Sequence, residues 1–352
     1  REDIDAMGKK YWDIPVDTIF IGGGTPSVPD SALIVGIMEH VRKAFHVAEG
    51  AEISMEANPG TVTREKLTDY RRAGINRLSF GLQSANDREL KLLGRIHTWA
   101  EFLESFALAR ECGFTNLNID LMSALPGQTC ESWKDTLKRV TDLEPEHISA
   151  YSLIIEDGTP FGEKYGSEEG RKLLPDEDSE REMYHETKRF LQDCGYERYE
   201  ISNYAKPGKE CRHNIGYWTE VAYLGLGLGA SSYMEGCRFT NEKDLDKYLA
   251  LDFGEEDPEK RETALRKLWG QIEELSQAQR MEEFMFLGLR MLKGVSDVDF
   301  VRLFGVKMET VYGDVIRRLT ANGLLKKEEN NLALTEWGMD VSNFVLSEFL
   351  LG

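Results

Sequence analysis

The chain has 352 residues, of which 41% are hydrophobic and 30% are charged, and its formal net charge is −19 at pH 7. This length allows about two domains with ample core. The acidic balance argues against a nucleic-acid partner held through phosphate contacts. No run approaches the ~18 apolar residues that a membrane-spanning helix needs.

Helix-like and strand-like patterns alternate over the first 155 residues. After an amphipathic N-terminal helix with Ile4, Met7 and Tyr11 on one face, β-branched and apolar runs predict strands at 18–21, 52–57, 77–82, 116–122 and 147–155. Periodic patterns between them predict helices at about 30–45, 63–73, 87–93, 99–111 and 130–142. This alternation predicts right-handed βαβ units and an α/β fold whose parallel sheet curls into a barrel or partial barrel.

Polar groups and glycines follow the predicted strands where they end. Three glycines at 22–24 come directly after the first strand, and Glu56, Gln83 and Asp120 lie near the ends of later strands. Glycine allows a sharp turn and lets the backbone approach a ligand where no Cβ would fit. The C-terminal strand ends meet at one edge, so the sequence predicts a ligand site there.

The second half of the chain is less regular. An alternating segment at 196–204 predicts a further strand, and the acidic runs at 166–182 and 254–262 predict a mobile insertion and an interdomain connection. The letters at 225–230 fit a G-x-G-x-x-A dinucleotide fingerprint. That fingerprint needs a following helix, whereas 231–234 has an extended pattern, so we reject nicotinamide dinucleotide binding.

The last 75 or so residues predict a separate winged-helix-like unit. Helices are predicted at 278–292, 298–304 and 308–322, followed by a hairpin at 324–328 and 331–335 and a helix at 337–350. Glu309 and Asp314 offset Arg317 and Arg318 on the third helix, which favours a lid or partner-docking role over DNA binding. The predicted domains are 1–250, a connecting segment at 251–275, and 276–352.

Several motifs together resemble the radical S-adenosylmethionine (SAM) proteins of the oxygen-independent coproporphyrinogen III oxidase branch. They are Gly-Gly-Gly-Thr-Pro-Ser at 22–27, Glu-Ala-Asn-Pro at 56–59, Phe-Gly-Leu-Gln-Ser at 80–84, Leu-Gly-Arg-Ile-His at 93–97 and Asn-Ile-Asp-Leu at 118–121. His-Asn-Ile-Gly-Tyr-Trp at 213–218 is similar to a signature of one related group, the HemW haem chaperones. The resemblance spans nearly the whole chain.

The resemblance implies a SAM pocket at the strand ends of a radical SAM partial barrel whose first strand is absent from this sequence. The implied SAM-binding residues are Gly23, Gly24, Thr25, Glu56, Gln83, Arg95 and Asp120, with Ile154 and Ser231 as weaker candidates. Carboxylates can accept from the amino group or ribose of SAM, and a guanidinium can pair with its carboxylate. Solvated carboxylates and helix caps are the ordinary structural alternative for each position.

The family also implies a [4Fe-4S] cluster held by a CxxxCxxC loop, and this chain does not contain one. Its cysteines, at 112, 130, 194, 211 and 237, are not spaced like cluster ligands. We expect the cluster cysteines upstream of Arg1, in a segment absent from this sequence, so this chain itself is predicted to have no metal ligands. A family member that has naturally lost its cluster is the alternative.

The segment His213, Asn214, Tyr217 and Trp218 is the candidate haem site. An imidazole can ligate haem iron and flat aromatic rings can cover a porphyrin. Cys211 is a competing thiolate candidate. The structural alternative is that His213 and Asn214 bond a turn while the aromatic rings pack into the core.

Two functions follow from the resemblance. The first is a haem chaperone that binds haem and transfers it to acceptor proteins, without catalytic residues and without coproporphyrinogen oxidase activity. The alternative is the oxidase itself, in which a 5′-deoxyadenosyl radical abstracts hydrogen from propionate side chains. Scattered cysteines predict a cytoplasmic protein, and peripheral membrane association and the oligomeric state are left open.

Overall fold

The computed structural model describes residues 1–253 and 257–351. Residues 254–256, which belong to the predicted connection and to its acidic run, lie outside the described residues, as does residue 352.

The strands follow one another along the chain with these bounds: β1 (Pro15–Ile21), β2 (His46–Ala57), β3 (Arg77–Gln83), β4 (Leu117–Ser123), β5 (His147–Ser152), β6 (Glu197–Arg198), β7 (Asn203–Ala205), β8 (Ser231–Met234), β9 (Cys237–Thr240), β10 (Ile272–Glu274), β11 (Val295–Ser296), β12 (Leu325–Glu328) and β13 (Asn331–Leu334).

The helices are α1 (Glu2–Tyr11), α2 (Ser31–Ala44), α3 (Arg64–Arg72), α4 (Asp87–Leu92), α5 (Trp99–Glu111), α6 (Cys130–Thr141), α7 (Pro160–Tyr165), α8 (Glu168–Arg171), α9 (Glu177–Asp193), α10 (Arg212–Trp218), α11 (Leu245–Leu249), α12 (Pro258–Leu268), α13 (Gln277–Gly288), α14 (Asp297–Phe304), α15 (Met308–Ala321), α16 (Glu336–Asp340) and α17 (Ser342–Ser347).

A seven-stranded sheet organises the first 210 residues, in the order β1-β2-β3-β4-β5-β7-β6. Strands β2 to β5 run parallel, and β7 and β6 continue the sheet antiparallel. Helices separate the parallel strands along the chain, and β3 is buried over nearly its whole length. The α/β partial-barrel prediction is therefore confirmed, and the sheet brings the carboxyl ends of β2, β3 and β4 to one edge.

Aromatic packing holds this sheet to its helices. Phe80 of β3 makes an edge-to-face contact with Phe102 of α5 at a centroid distance of 6.1 Å, and Phe106 packs against both rings. Phe80 and Phe102 are fully buried. Thr98 and Glu101 start α5 with reciprocal side-chain-to-backbone bonds, which satisfy two otherwise unpaired N–H groups.

The chain divides into two compact units of interleaved segments. We call residues 18–35 and 52–211 the sheet unit, and residues 1–17, 36–51 and the chain from Arg212 onwards the second unit. The second unit contains the small sheets β10-β9-β8 and β11-β13-β12. Helices α13 to α15 and the antiparallel β12–β13 hairpin match the predicted winged-helix-like arrangement. The predicted boundaries at 250 and 276 stay a prediction.

Two local predictions were wrong, and a third stays a prediction. The segment 196–204 is two short strands, β6 and β7, because the Glu200 carboxylate accepts bonds from Ser202 N and Asn203 Nδ2 and turns the chain between them. The acidic stretch 166–182 contains α8 and the start of α9, with side-chain caps at Ser167 and Asp176, and the mobility predicted for it stays a prediction. The helix predicted at 337–350 breaks into α16 and α17 at Val341, whose φ of −117° is not helical.

Candidate functional site

A cleft of about 260 Å³ opens at the carboxyl ends of β1 to β4, and we call it the strand-end cleft. Six of the residues predicted at this edge line it: Gly24, Thr25, Glu56, Gln83, Arg95 and Asp120. The seventh, Gly23, contributes through its backbone N–H, which donates to Glu56 Oε2 at 3.2 Å. The structure therefore gathers all seven residues, although they span almost 100 positions in sequence.

The turn after β1 needs glycine because of its backbone conformation. Gly23 and Gly24 have φ of 84° and 61°, values that favour glycine. A Cβ added to either would meet nothing within 4 Å, so in the protein alone steric crowding is not the reason for these two glycines. Crowding applies at Gly22, whose Cβ would lie 2.8 Å from the Phe20 ring. The expectation that a Cβ at Gly23 or Gly24 would obstruct a bound ligand stays a prediction.

Two carboxyl groups and one guanidinium set the electrostatics of the cleft. Burial raises the pKa of Glu56. The hydrogen bond from the Gly23 N–H opposes this shift, and the Asp120 charge adds to it. Burial also raises the pKa of Asp120, against bonds from Asn118, Ser149 and Ser79 that favour the charged form. These carboxyl groups are incompletely solvated, so a ligand that donates hydrogen bonds to them is favoured.

Gln83 and Arg95 add two further polar side chains to the lining of the cleft. Gln83 has φ of 74° and follows a register shift between β3 and β4, so this bulge sets the conformation at the end of the strand. Arg95 Nη2 donates to Gly81 O at 3.4 Å, and burial lowers the pKa of Arg95. Its guanidinium stays charged, since the usual pKa of arginine lies far above neutrality.

Sequence reasoning missed five lining residues: Pro26, Ala57, Asn58, Ser79 and Gly81. Asn58 Nδ2 donates to Thr25 Oγ1 at 3.1 Å, and Ser79 Oγ donates to Asp120 Oδ2 at 3.1 Å. The sequence did carry a signal for Ser79 and Gly81. They alternate with apolar residues along β3 and therefore share a face of the strand with Gln83. Asn58 follows β2 directly and could have been found as a polar strand-end residue.

The two weaker candidates lie outside this cluster. Ile154 is 75% exposed beyond the end of β5 and does not line the strand-end cleft. Ser231 starts β8 in the second unit, where its Oγ lies 3.1 Å from Thr240 Oγ1. Their proposed contact with SAM therefore rests on the family resemblance.

The candidate haem residues lie on one short helix, α10, in the second unit. His213 Nε2 and the Tyr217 hydroxyl are 2.9 Å apart, because residues four apart share a helix face. The Tyr217 ring meets Tyr223 edge-on at 4.7 Å. The Arg290 guanidinium lies 4.3 Å from the centre of the Trp218 ring. Asn214 lies on the same helix, partly exposed. The helix thus joins an imidazole to a cluster of aromatic rings.

Cys211, the competing thiolate candidate, is fully buried in the sheet unit. Its Sγ lies 3.5 Å from Glu52 Oε1, to which it donates. The Cys211 side chain is thus enclosed in the core and its S–H already bonds a neighbouring side chain. Cys211 is therefore poorly placed to ligate haem iron as a thiolate.

The described residues do not fit an iron–sulfur cluster. Within them no group of three histidine, cysteine or carboxylate side chains comes together in a way that could hold a metal ion, and none of the five cysteines forms a disulfide. A [4Fe-4S] cluster requires several thiolates converging on one point. In the same part of the chain, none of the helices combines the length and apolar character needed to cross a membrane.

Comparison with known proteins identifies two matching families. Residues 1–140 match the radical SAM superfamily, and residues 275–341 match the HemN C-terminal domain. The chain is 36% identical over 334 residues to the haem chaperone HemW of Bacillus subtilis (strain 168), which covers 95% of this chain and 85% of that protein. It is also 36% identical over 351 residues to HemW of Lactococcus lactis (strain IL1403), with coverages of 99% and 89%.

One solved structure is similar over nearly the whole chain. Coproporphyrinogen III oxidase (HemN) from Escherichia coli, described as a radical SAM enzyme, matches with a TM-score of 0.80 and 24% identity. The match covers 99% of this chain and 81% of that one. At this identity the likeness shows a common fold.

Proposed function

Because the chain belongs to the HemW family of radical SAM proteins, we propose that it binds haem and delivers it to haem-accepting proteins. The observation that carries this proposal is the similarity to haem chaperones across almost the full length of both chains. The likeness to the oxidase supports a common fold and adds no support for oxidase activity.

We propose α10 as the haem-binding segment. His213 offers an imidazole, and Tyr217 and Trp218, four and five residues further along the helix, offer flat ring surface. Haem can displace the bond between His213 and the Tyr217 hydroxyl, since both groups also bond water readily.

We propose that the strand-end cleft holds SAM. Its residues fit the ligand: Glu56 and Asp120 present incompletely solvated carboxyl oxygens to an amino group or ribose, and Arg95 presents a guanidinium to a carboxylate. The turn at Gly23 and Gly24 leaves open space beside the backbone. In the family, SAM bound to a cluster is a source of radical chemistry. The described residues supply the SAM-binding groups and no cluster ligands.

A haem titration followed by absorption spectroscopy tests the chaperone function. The full-length protein is titrated with haem, then mixed with a haem-free acceptor protein, and an anaerobic decarboxylation assay with coproporphyrinogen III runs in parallel. We expect a stable Soret band, transfer to the acceptor and no decarboxylation. Failure to bind haem, or turnover of coproporphyrinogen, would overturn the proposal.

Single substitutions locate the haem segment. We expect His213→Ala to shift the Soret band, because the axial ligand sets the electronic environment of iron. We expect Trp218→Ala to weaken binding with a similar spectrum, since only stacking area is lost. His46→Ala, an exposed histidine on β2, is the matched control and should behave like the wild type. Wild-type spectra and affinity for both α10 variants would leave α10 with a structural role only.

We also propose a cytoplasmic location. None of the five cysteines forms a disulfide in the structure, which suits a reducing compartment.

A further inference from the structure

A chain of hydrogen bonds runs beneath the strand-end cleft, from its floor into the core of the sheet unit. Asn118 Nδ2 donates to Asp120 Oδ1 at 2.8 Å, and Asn118 Oδ1 lies 2.6 Å from His147 Nδ1. On the other side of the ring, His147 Nε2 lies 2.8 Å from the Tyr199 hydroxyl. The Tyr199 oxygen accepts the Cys211 N–H at 3.3 Å. Asn118 is 2% exposed and His147 is fully buried.

The chemistry of each group fixes which partner donates in every one of these hydrogen bonds. An ionised Asp120 can only accept, so the amide nitrogen of Asn118 must face it and the amide oxygen must face His147. That oxygen also only accepts, so His147 Nδ1 must carry the proton. Nε2 of a neutral ring then accepts from the Tyr199 hydroxyl. All donations therefore point towards Asp120.

The surroundings of His147 keep its ring neutral. Burial lowers the pKa of His147 well below its usual range, and the positive charge of Arg77 acts in the same direction. Two serines brace the same amide: Ser149 Oγ donates to Asn118 Oδ1 at 3.2 Å, and Asn118 Nδ2 also donates to Ser79 Oγ at 2.7 Å. The Asn118 side chain is thus held at both ends.

We infer that Asn118 and His147 are positioning residues for SAM, because they hold the Asp120 carboxylate in place at the floor of the strand-end cleft. This inference rests on the proposed SAM site. Asp120 Oδ1 is tied to Asn118 and Oδ2 to Ser79, so the orientation of the carboxylate is set from below. Asp120 itself lines the cleft. Pre-organised acceptors bind a donor without the entropic cost of ordering a mobile side chain.

The first test measures the tautomer of His147 in the wild-type protein, without SAM. Two-bond ¹H–¹⁵N correlation spectra of histidine-labelled protein should show a neutral ring protonated at Nδ1 and unchanged between pH 5 and pH 8. A ring protonated at Nε2, or one that titrates in this range, would overturn the assigned direction of these hydrogen bonds.

The second test measures SAM affinity by calorimetry on the full-length, cluster-loaded protein. His147→Leu removes the donor to Asn118 and should weaken SAM binding by up to about tenfold, the scale of one hydrogen bond between neutral groups. His147→Asn should restore much of the affinity, because its amide nitrogen is the same number of bonds from Cα as Nδ1. Full affinity in His147→Leu would refute the positioning role.

Thr187→Val is the matched control for lost stability. Thr187 is buried on α9 and accepts a bond from Trp133 Nε1, so its loss lowers stability within the same unit. It should leave SAM affinity unchanged, whereas His147→Leu should lower affinity at temperatures where both variants are folded. An equal loss of affinity in Thr187→Val would mean that stability alone is responsible. If the wild type itself does not bind SAM, the proposed SAM site falls together with this inference.

Discussion

Glu220 should make the second unit less stable as the pH rises towards neutrality. Its side chain lines a cavity of about 90 Å³ with Tyr217, Tyr223 and Tyr233, and its Oε1 is buried without a hydrogen-bond partner. Burial is the main cause that raises the pKa of Glu220 from 4.5 to about 7, and the nearby Glu283 carboxylate adds to it.

The size and sign of the effect follow from proton linkage. Two arginines, Arg280 and Arg238, oppose the shift, but Arg238 already donates to Glu283 at 2.9 Å. Between pH 4.5 and about pH 7, Glu220 therefore keeps its proton in the native state and loses it in the unfolded chain. The stabilising contribution of Glu220 is complete below this range and falls as the pH rises through it, by at most ~3.4 kcal/mol at 1.36 kcal/mol per pKa unit.

Urea unfolding of Glu220→Gln between pH 5 and pH 8 measures this loss. Glutamine keeps the shape of the protonated side chain without the charge, so the variant should exceed the wild type in stability by a margin that is small at pH 5 and grows up to pH 8. Leu287→Ala, a change without an ionisable group at the same cavity, should cost the same at every pH. A stability difference between Glu220→Gln and wild type that does not change with pH would refute the reasoning.

Three further outcomes are expected. Asp120→Ala should weaken SAM binding to the cluster-loaded protein by ~1–3 kcal/mol in calorimetry, because a charged hydrogen bond is lost. Gly23→Val should also weaken SAM binding, because valine does not tolerate the positive φ at this position. Wild-type SAM affinity in both variants would refute the proposed site. Thr187→Val should lower the free energy of unfolding by ~1–3 kcal/mol, since the Trp133 indole N–H loses its buried acceptor. Thr263→Val is its control, an exposed threonine with the same bond to the carbonyl four residues back, and equal losses would contradict this. Anaerobic reconstitution of this chain should yield no stoichiometric iron and sulfide, because its five cysteines are not spaced for a cluster; a full complement would disprove that.

The strand-end cleft was predictable because it depends on local patterns. Each strand that contributes to it is an apolar run followed by a glycine or polar residue, and parallel strands must bring those ends together. Glu56, Gln83 and Asp120 could therefore be assigned to one edge before any contact was known.

The hydrogen-bond chain beneath the cleft could not be predicted in the same way. It depends on the registers that place Asn118 beside His147 and Ser149 beside Asp120. Such registers follow from packing across the whole sheet and leave no short-range signal. At Glu200 the prediction failed for a local reason. The alternation of residues predicted one strand, but a bond from the Ser202 N–H to the Glu200 side chain interrupts it.

The interleaving of the two units has a consequence for synthesis on the ribosome. Helix α1 emerges early, yet the Asp3 carboxylate accepts from Gly227 N and the Tyr248 hydroxyl, and the Lys10 ammonium lies 4.9 Å from the centre of the Trp269 ring. Its apolar residues, Ile4, Met7 and Tyr11, must wait for more than 200 further residues to be translated before their unit can close. During that interval the nascent chain exposes a hydrophobic helix face, the kind of surface that general chaperones bind.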